Sequence, residues 1–538
     1  MIDRIKECLS SVEATPVQWL ISLSGILMIR FFLESISSPT SSGIISSDAP
    51  TLVHYYLFYL TVGLGLMLLL QAVIPTWKKV LPQAVLFVLT LTFIPPIIDW
   101  IVSGGKGSTM AYLFESPSQM VRSLFSFFGP LTHAGITLGI RVELLILILG
   151  IGTVVYYVRR SIARAVLTTL VLYLIAFVSV SLPGVISMLA QIFSDGHIPV
   201  NQYLQSVILH SSTLADNIHG TLHFQTLTRM LEIGFDFMIA RVWLLLVAIL
   251  SAIWFLTNFG HQTKAIIKNS RPERVSHYVF LILLGVFVAY HQKVFSMNWN
   301  DWLVLFILLL SFYFSWMFAV CVNDIFDIEI DRISNSSRPI TTGNISVSEM
   351  RSAAVIFLVL SLVGAYLCGY YAFFCMLAFT ALYYVYSATP LRLKRVPFLS
   401  VMVVGFCSLS AAMAGFFTFS ALKEVSAFPV NLIIGIVVIF SLLPQVKDIK
   451  DIEGDRTACI VTIPTLFGPV WGPRIVGLMA ACAYLVVSLL LYSPVFMFGA
   501  IPAAVITYWL AVRKPYTERP IFVVYGLFVM FMAVTVLA

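Results

Sequence analysis

"LFILLLSFYFSWMFAVCVNDIFDIEIDRISNSSRPITTG", Leu305–Gly343, carries an uncharged run to Val322 and then sets Asp324, Asp327, Glu329 and Asp331 at its end. Crossing the hydrocarbon core as a helix takes ~20 apolar residues, and this run is of that order. The rest of the chain repeats the pattern. Hydrophobic residues make up 59% of 538, charged residues 11%, and the mean hydropathy is +0.96, which excludes an ordinary soluble domain. Apolar runs at 17–36, 52–75, 80–102, 141–158, 163–190, 236–258, 277–295, 301–323, 351–370, 371–387, 397–421, 427–446, 473–491, 493–512 and 520–537 predict about fifteen spans. In lipid each span must satisfy its own backbone groups. No run alternates with period two, so the fold class is all-α, a polytopic membrane protein rather than a barrel.

Basic residues mark the inner loops: Lys78 and Lys79; Arg159, Arg160 and Arg164; Lys264, Lys268, Arg271 and Arg274; then Arg392, Lys394, Arg395, Lys447, Lys450, Arg513, Lys514 and Arg519. The net charge of +7 is therefore a topology signal, not a nucleic-acid footprint. It predicts an N terminus and inner loops on the cytoplasmic side of the inner or plasma membrane, with the C terminus outside. No cleavable signal peptide is expected, because Arg30 and Glu34 close the first run and a small-residue cleavage site is lacking. The seven cysteines form no C-x-x-C pair and read as small buried apolar groups.

The polar stretch "NFGHQTKAIIKNSRPERVSHY", Asn258–Tyr278, divides six spans from nine, giving modules 1–258 and 259–538. The first reads as three hairpins with outward loops at 37–51, 103–140 and 191–235, and "RVELLILIL" (141–149) echoes "RVWLLLVAI" (241–249). It carries no catalytic motif: His133, His210, His219 and His223 are scattered over outward loops. Arg30 and Glu34, four apart inside a span, are expected to pair rather than face lipid. The module's function stays unknown. It is expected to be a helical partner for acceptor access or oligomerisation, the alternative being a second lipid-handling site around Asp99, Arg141, Glu143, Asp236 and Arg241.

A second acidic cluster, "KDIKDIEGDR" (Lys447–Arg456), matches the first. The two hold eight of the chain's 25 acidic residues. On a helix Asn323, Asp327 and Asp331 share one face, as do Asp448, Asp451 and Asp455. Each set repels itself without a cation, and all-oxygen ligands suit Mg2+, which binds through a few carboxylates together with substrate phosphates. Arg338 in "SSRPITTG" and Arg392, Lys394 and Arg395 in "YSATPLRLKR" supply donors for phosphate oxygens. A solvated loop or helix cap explains one such cluster, but not two beside basic motifs. A transporter for divalent cations or polyprenyl phosphates is the alternative class, disfavoured because both clusters lie at span ends rather than mid-bilayer.

Residues 260–538 resemble the UbiA superfamily of intramembrane prenyltransferases. "NDIFDIEID" is similar to its first Asp-rich motif, "YSATPLRLKR" to the loop after the fourth helix, and "KDIKDIEGDR" with "TIPTLFG" to the second. The resemblance implies a nine-helix bundle and Mg2+-dependent transfer of a polyprenyl group from a prenyl diphosphate to a lipid-soluble acceptor. Carried over by position, Asn323, Asp324, Asp327 and Asp331 would hold one metal, and Asp448, Asp451 and Asp455 another. Arg338, Arg392, Lys394 and Lys447 would bind diphosphate, with Asp327, Asp448 and Tyr386 as the catalytic residues and Tyr386 beside the ionising carbon. The implied partners are the donor, a lipophilic acceptor and membrane lipids, and a homo-oligomer is compatible. The motifs look most similar to the branch acting on geranylgeranylglyceryl phosphate, an ether-lipid precursor, and the alternative is an aromatic, quinone-type acceptor. Serines in "RISNSSRP" replace the Asn and Pro of that branch's pattern. The small residues of "SLSAAMAG" (408–415) are expected to leave a groove for a long isoprenoid tail, or to let helices pack closely.

Overall fold

The computed structural model describes residues 2–12, 14–37, 49–108, 111–130, 136–192, 198–213, 227–457, 461–491 and 494–537. His133, His219, His223 and Cys459 lie outside them. Among the described residues there is no strand, and fourteen helices are long and apolar enough to cross a membrane. The fifteenth expected run forms the helix Arg519–Leu537, whose described apolar stretch, Arg519–Met532, is shorter than the others. The protein is integral to the membrane.

Backbone contacts divide the chain into two compact units, residues 1–259 with 298–300, and 260–297 with 301–538. In the first, the expected span 80–102 is two short helices, Leu81–Leu89 and Ile94–Val102, joined by a 3-10 turn, Thr90–Phe93, with Pro95 and Pro96, which lack a backbone donor, in the first turn of the second helix. Arg30 and Glu34 pair at 2.6 Å, both buried. Of the other ionisable residues expected there, Asp99, Arg141, Asp236 and Arg241 engage separate local partners, whereas Glu143 belongs to none of these pairings. Asp99 accepts from the Gly139 amide at 2.8 Å, Arg141 donates to the carbonyls of Phe127, Gly129 and Pro130, and Arg241 donates to Asn300 at 2.9 Å. Asp236 accepts from Thr51 and pairs with His54 at 2.8 Å.

In the second unit, helix starts follow local chemistry: Pro in the first turn of Pro272–Gln292 and Pro397–Phe419, and capping boxes at Ser346–Glu349 and Thr462–Thr465. Glycine then decides how close two of these helices come. A Cβ on Gly285 would land on the Ala412 carbonyl oxygen, and one on Gly415 on the Ile282 carbonyl oxygen. Ala411, Ala412 and Ala414 are fully buried in the same seam. The small residues of "SLSAAMAG" therefore serve backbone-to-backbone packing, not a groove. Cys321, Cys368, Cys375 and Cys407 are buried as expected, whereas Cys8 and Cys482 are exposed.

Gly285→Ala or Gly415→Ala must push the two helices apart, an overpacking cost of ~1–3 kcal/mol. Either variant in detergent is expected to unfold several degrees below wild type, while Gly526→Ala, with nothing within 4 Å of the new methyl, is not.

Candidate active site

The helix Trp299–Phe326 ends where Asp327 leaves helical geometry and starts the short helix Ile328–Ser334. The Asp327 amide still donates to the Asn323 carbonyl at 2.9 Å and the Asp331 amide to the Asp327 carbonyl at 2.8 Å, so the first cluster keeps its i, i+4, i+8 alignment. The second cluster lies on two short elements rather than one helix. Asp448 sits on a 3-10 segment, Leu443–Ile449, opened by Pro444, and Asp455 on the separate helix Ile452–Thr457. The Asp451 amide still donates to the Asp448 carbonyl at 3.2 Å and the Asp455 amide to the Asp451 carbonyl at 2.8 Å, so backbone bonds link the three acids across the break.

Both clusters nevertheless open onto one cavity of about 210 Å³. Asn323, Asp327, Asp331, Asp448, Asp451, Asp455, Arg338, Lys394, Lys447 and Tyr386 all line it. Asp324 and Arg392 are not on its wall. Asp324 is wholly buried behind it, accepting from Asn269 at 2.6 Å and from Arg271 at 2.9 Å. Arg392 donates to Asp327 at 2.6 Å and to the Phe326 carbonyl at 2.9 Å, and Lys394 also pairs with Asp327. Arg271 and Arg392 both hold left-handed backbone, at φ 52° and 45°. Non-glycine residues adopt it at a cost, and here each brings its guanidinium onto a carboxylate of the first cluster.

Asp331 is less well served. Asn335 donates to Oδ1 at 3.2 Å, Arg338 Nε lies 3.9 Å from Oδ1, and buried Oδ2 has no partner among the protein atoms. Burial, opposed by Arg338, raises its carboxyl to about 6. Burial, reinforced by Asp448 and Asp451, raises Asp455 to about 7. Lys394 is lowered by burial, against the pull of Asp327. Lys447 donates to the Tyr386 hydroxyl at 3.0 Å and lies 5.2 Å from that ring's centroid.

Among the described residues no three Asp, Glu, His or Cys side chains converge into a closed metal cage. The donor set still fits Mg2+, which keeps waters and takes one or two carboxylates with substrate phosphates, and Asp331 Oδ2 is an open ligand atom. Sequence reasoning missed Arg271, Arg274, His277, Tyr278, Trp316 and Tyr525, which also line the cavity. The two arginines read as inner-loop anchors, and the aromatics as ordinary span residues.

The profile described as the UbiA prenyltransferase family matches residues 278–534. That segment belongs to the UbiA prenyltransferase family. Over 150 residues the chain is 33% identical to a digeranylgeranylglyceryl phosphate synthase of Sulfurisphaera tokodaii, covering 27% of this chain and 51% of the relative. It is 28% identical over 226 residues to the chloroplastic homogentisate solanesyltransferase of Arabidopsis thaliana, covering 38% and 57%. The chain thus spans about half the length of these curated relatives. A solved UbiA homolog from Archaeoglobus fulgidus bound to GPP and Mg2+ aligns at 23% identity and TM-score 0.39, over 50% of this chain and 97% of its own.

Two of the buried acids of the first cluster, Asp324 and Asp331, should respond oppositely to neutralisation in metal-free buffer. Asp331 has a raised folded pKa, so its ionised form opposes folding once the pH exceeds about 6. Asp331→Asn should therefore raise the thermal midpoint at pH 8, with the gain shrinking as the pH falls through 6 toward the unfolded value. Asp324→Asn removes the partner of Arg271 and should lower the midpoint, since breaking a buried pair costs ~3–5 kcal/mol. Thermal unfolding across pH in EDTA measures both.

Proposed function

We propose that this chain transfers a prenyl group from a prenyl diphosphate to a lipid-soluble acceptor, with the glyceryl phosphate lipid named by its relatives as the first choice. The observation that carries the reading is the shared cavity, where both acidic clusters, the basic loop and an aromatic wall meet. In it Asn323, Asp327 and Asp331 on one side, and Asp448, Asp451 and Asp455 on the other, are the residues that would hold Mg2+. Bound there, the metal supplies positive charge that stabilises the leaving diphosphate.

The chain's own residues do the rest. Lys394 and Arg392 hold Asp327 in the metal-free protein and are placed to exchange that carboxylate for diphosphate oxygens, with Lys447 beside them. These cations are aimed where charge grows as the C–O bond breaks, so they act more on the transition state than on the bound donor. Tyr386, Tyr383, Tyr278 and Trp316 also line the cavity, where their rings would stabilise an allylic cation and exclude water. A second, apolar cavity of about 650 Å³ shares Phe440, Leu443 and Tyr525 with the first and is walled mainly by aliphatic residues and phenylalanines. It suits the isoprenoid tail.

The basic inner loops support a cytoplasmic N terminus and a cytoplasmic cavity mouth. The first unit acts as a helical partner. Its ionisable residues form internal structural contacts such as Arg30–Glu34.

Purified protein given Mg2+, a labelled prenyl diphosphate and the glyceryl phosphate acceptor should release pyrophosphate and form the prenylated product. A product formed only with an aromatic acceptor would select the homogentisate-like alternative, and no pyrophosphate from any pair would defeat the reading. Asp327→Asn and Asp448→Asn should each lower kcat at least ~100-fold, as expected for loss of transition-state charge stabilisation, and EDTA should do the same. The Mg2+ concentration for half-maximal rate should rise from pH 8 to pH 6, because Asp455 (about 7) and Asp331 (about 6) then take up protons that compete with metal. Ile439→Trp, which fills the apolar cavity, should shift competition between twenty-carbon and five-carbon donors toward the shorter one.

A further inference from the structure

The first unit holds a run of buried hydrogen bonds that prenyl transfer does not use. It joins the helices Ala49–Val73 and Leu227–Asn258 to Tyr112, which lies between the helices Ile94–Val102 and Pro117–Phe125. His54 Nδ1 is 2.8 Å from Asp236 Oδ1, and His54 Nε2 is 2.7 Å from the Tyr112 hydroxyl, which also accepts from the Trp243 indole at 2.8 Å. The Asp236 end fixes the roles. An ionised carboxylate only accepts, so Nδ1 carries the hydrogen of the neutral imidazole and Nε2 accepts from Tyr112. Thr51 donates to the other Asp236 oxygen, and the Trp243 N–H can only donate. Every hydrogen in the run therefore points toward Asp236.

The surroundings of this run carry more acids than cations. Tyr55, stacked on the His54 ring at 4.8 Å, is in electrostatic contact with Asp236, Glu34, Arg30 and Tyr59, and Tyr59 with Arg30, Glu34 and Glu143. Arg241, further along the helix that carries Asp236, donates to Asn300. Arg30 thus stands against the carboxylates of Glu34, Glu143 and Asp236, and buried carboxylates call for cations. Contacts of 2.7 and 2.8 Å leave no space for a metal ion between these atoms, and among the described residues no three His, Cys, Asp or Glu side chains converge here. The cation that enters without parting them is a proton. Imidazole is the side chain that takes one up near neutral pH.

We infer that His54 and Asp236 form a proton-binding site inside the first unit, loaded through Tyr112. A proton that reaches the Tyr112 oxygen forms a new O–H bond there as the old one breaks, and the old hydrogen passes to His54 Nε2. The imidazolium so formed donates from both nitrogens, to Asp236 and back to Tyr112, whose oxygen still accepts from Trp243. Unloading returns the Nε2 hydrogen to Tyr112 as the other hydroxyl hydrogen departs. One proton is gained or lost in each direction, and no electrons move. Trp243 and Thr51 are positioning residues that hold the Tyr112 oxygen and the Asp236 carboxylate. The site does not rest on the prenyl-transfer reading.

Infrared difference spectra of the full-length protein in detergent and EDTA, taken from about pH 9 to about pH 4, test it across the range in which imidazole titrates. Wild type should show an imidazole band and a tyrosine C–O band that change together. His54→Gln should lose both changes, and Tyr112→Phe the tyrosine change alone. Asp236→Asn should remove both from this range, because a buried imidazolium would then lack its anion. After a jump from acid to alkaline pH, wild type should release a single proton per chain more to an indicator dye than His54→Gln does. Spectra and proton release in His54→Gln that match wild type overturn the site, as does an imidazole band that titrates unchanged in Asp236→Asn; the run is then a structural link only. An imidazole change with no tyrosine change in wild type, or a tyrosine change that survives in Tyr112→Phe, overturns loading through Tyr112. If His54→Gln fails to fold, Tyr112→Phe and Asp236→Asn decide by the same criteria. Prenyl transfer plays no part in these readouts, so a failure here leaves that reading standing.

Discussion

A carboxylate held away from water must find a cation, and the second unit is organised around that requirement. Asp324, Asp327, Asp331, Asp448, Asp451, Asp455 and Glu518 lie in or directly behind the cavity wall. Arg271, Arg274, Arg338, Arg392, Lys394, Lys447 and Lys450 match them in number. Because acids and bases match, the site avoids a net uncompensated buried charge, which would be strongly destabilising. The balance is uneven in detail. Asp324 and Asp327 are each held by two donors, while Asp331 keeps an oxygen with no partner and Asp455 faces Asp448 and Asp451. The well-paired acids stabilise the fold, and the poorly paired ones are where a divalent cation gains most.

That charge balance depends on helix packing well away from it. Arg271 and Arg274 reach the cavity only because Pro272–Gln292 lies against Pro397–Phe419 at a spacing set by Gly285 and Gly415. A larger residue at either glycine would move the helix that carries both arginines. The same helix supplies Tyr278, whose hydroxyl pairs with that of Tyr383, and His277, bonded to Tyr525 and Ser408 at 2.9 Å each. These contacts tie the aromatic wall to the basic one. Small-residue packing and cavity chemistry are thus one construction: a site is held most sharply when it is built on rigid, closely packed helices.

What was legible in the sequence follows from what is local. Span length and the i, i+4, i+8 run of Asn323, Asp327 and Asp331 depend on neighbours a few residues away, and both appear in the structure. The acidic clusters stood out because charge is rare in such an apolar chain. Three features were hidden for a common reason. Arg271 and Arg274 have their partners at Asp324 and Glu518, 53 and 244 residues away, so no spacing rule reveals them. "SLSAAMAG" is equally consistent with a groove or a seam until Gly285 of another helix is seen opposite it. Pro444 was visible, yet its 3-10 consequence for Asp448 was overridden by an assumed helical period.

The pairing of Asp327 also bears on the proposed reaction. Arg392 and Lys394 both sit on that carboxylate, so the acid and the two cations hold one another in place. Asp327 would serve as a metal ligand only if both cations found another anion, because a buried cation left unpaired is costly. A diphosphate would offer them that anion, and a metal held by the acidic residues would supply positive charge to the leaving group. The basic loop and the first acidic cluster are therefore one unit, in which each part is positioned by the other.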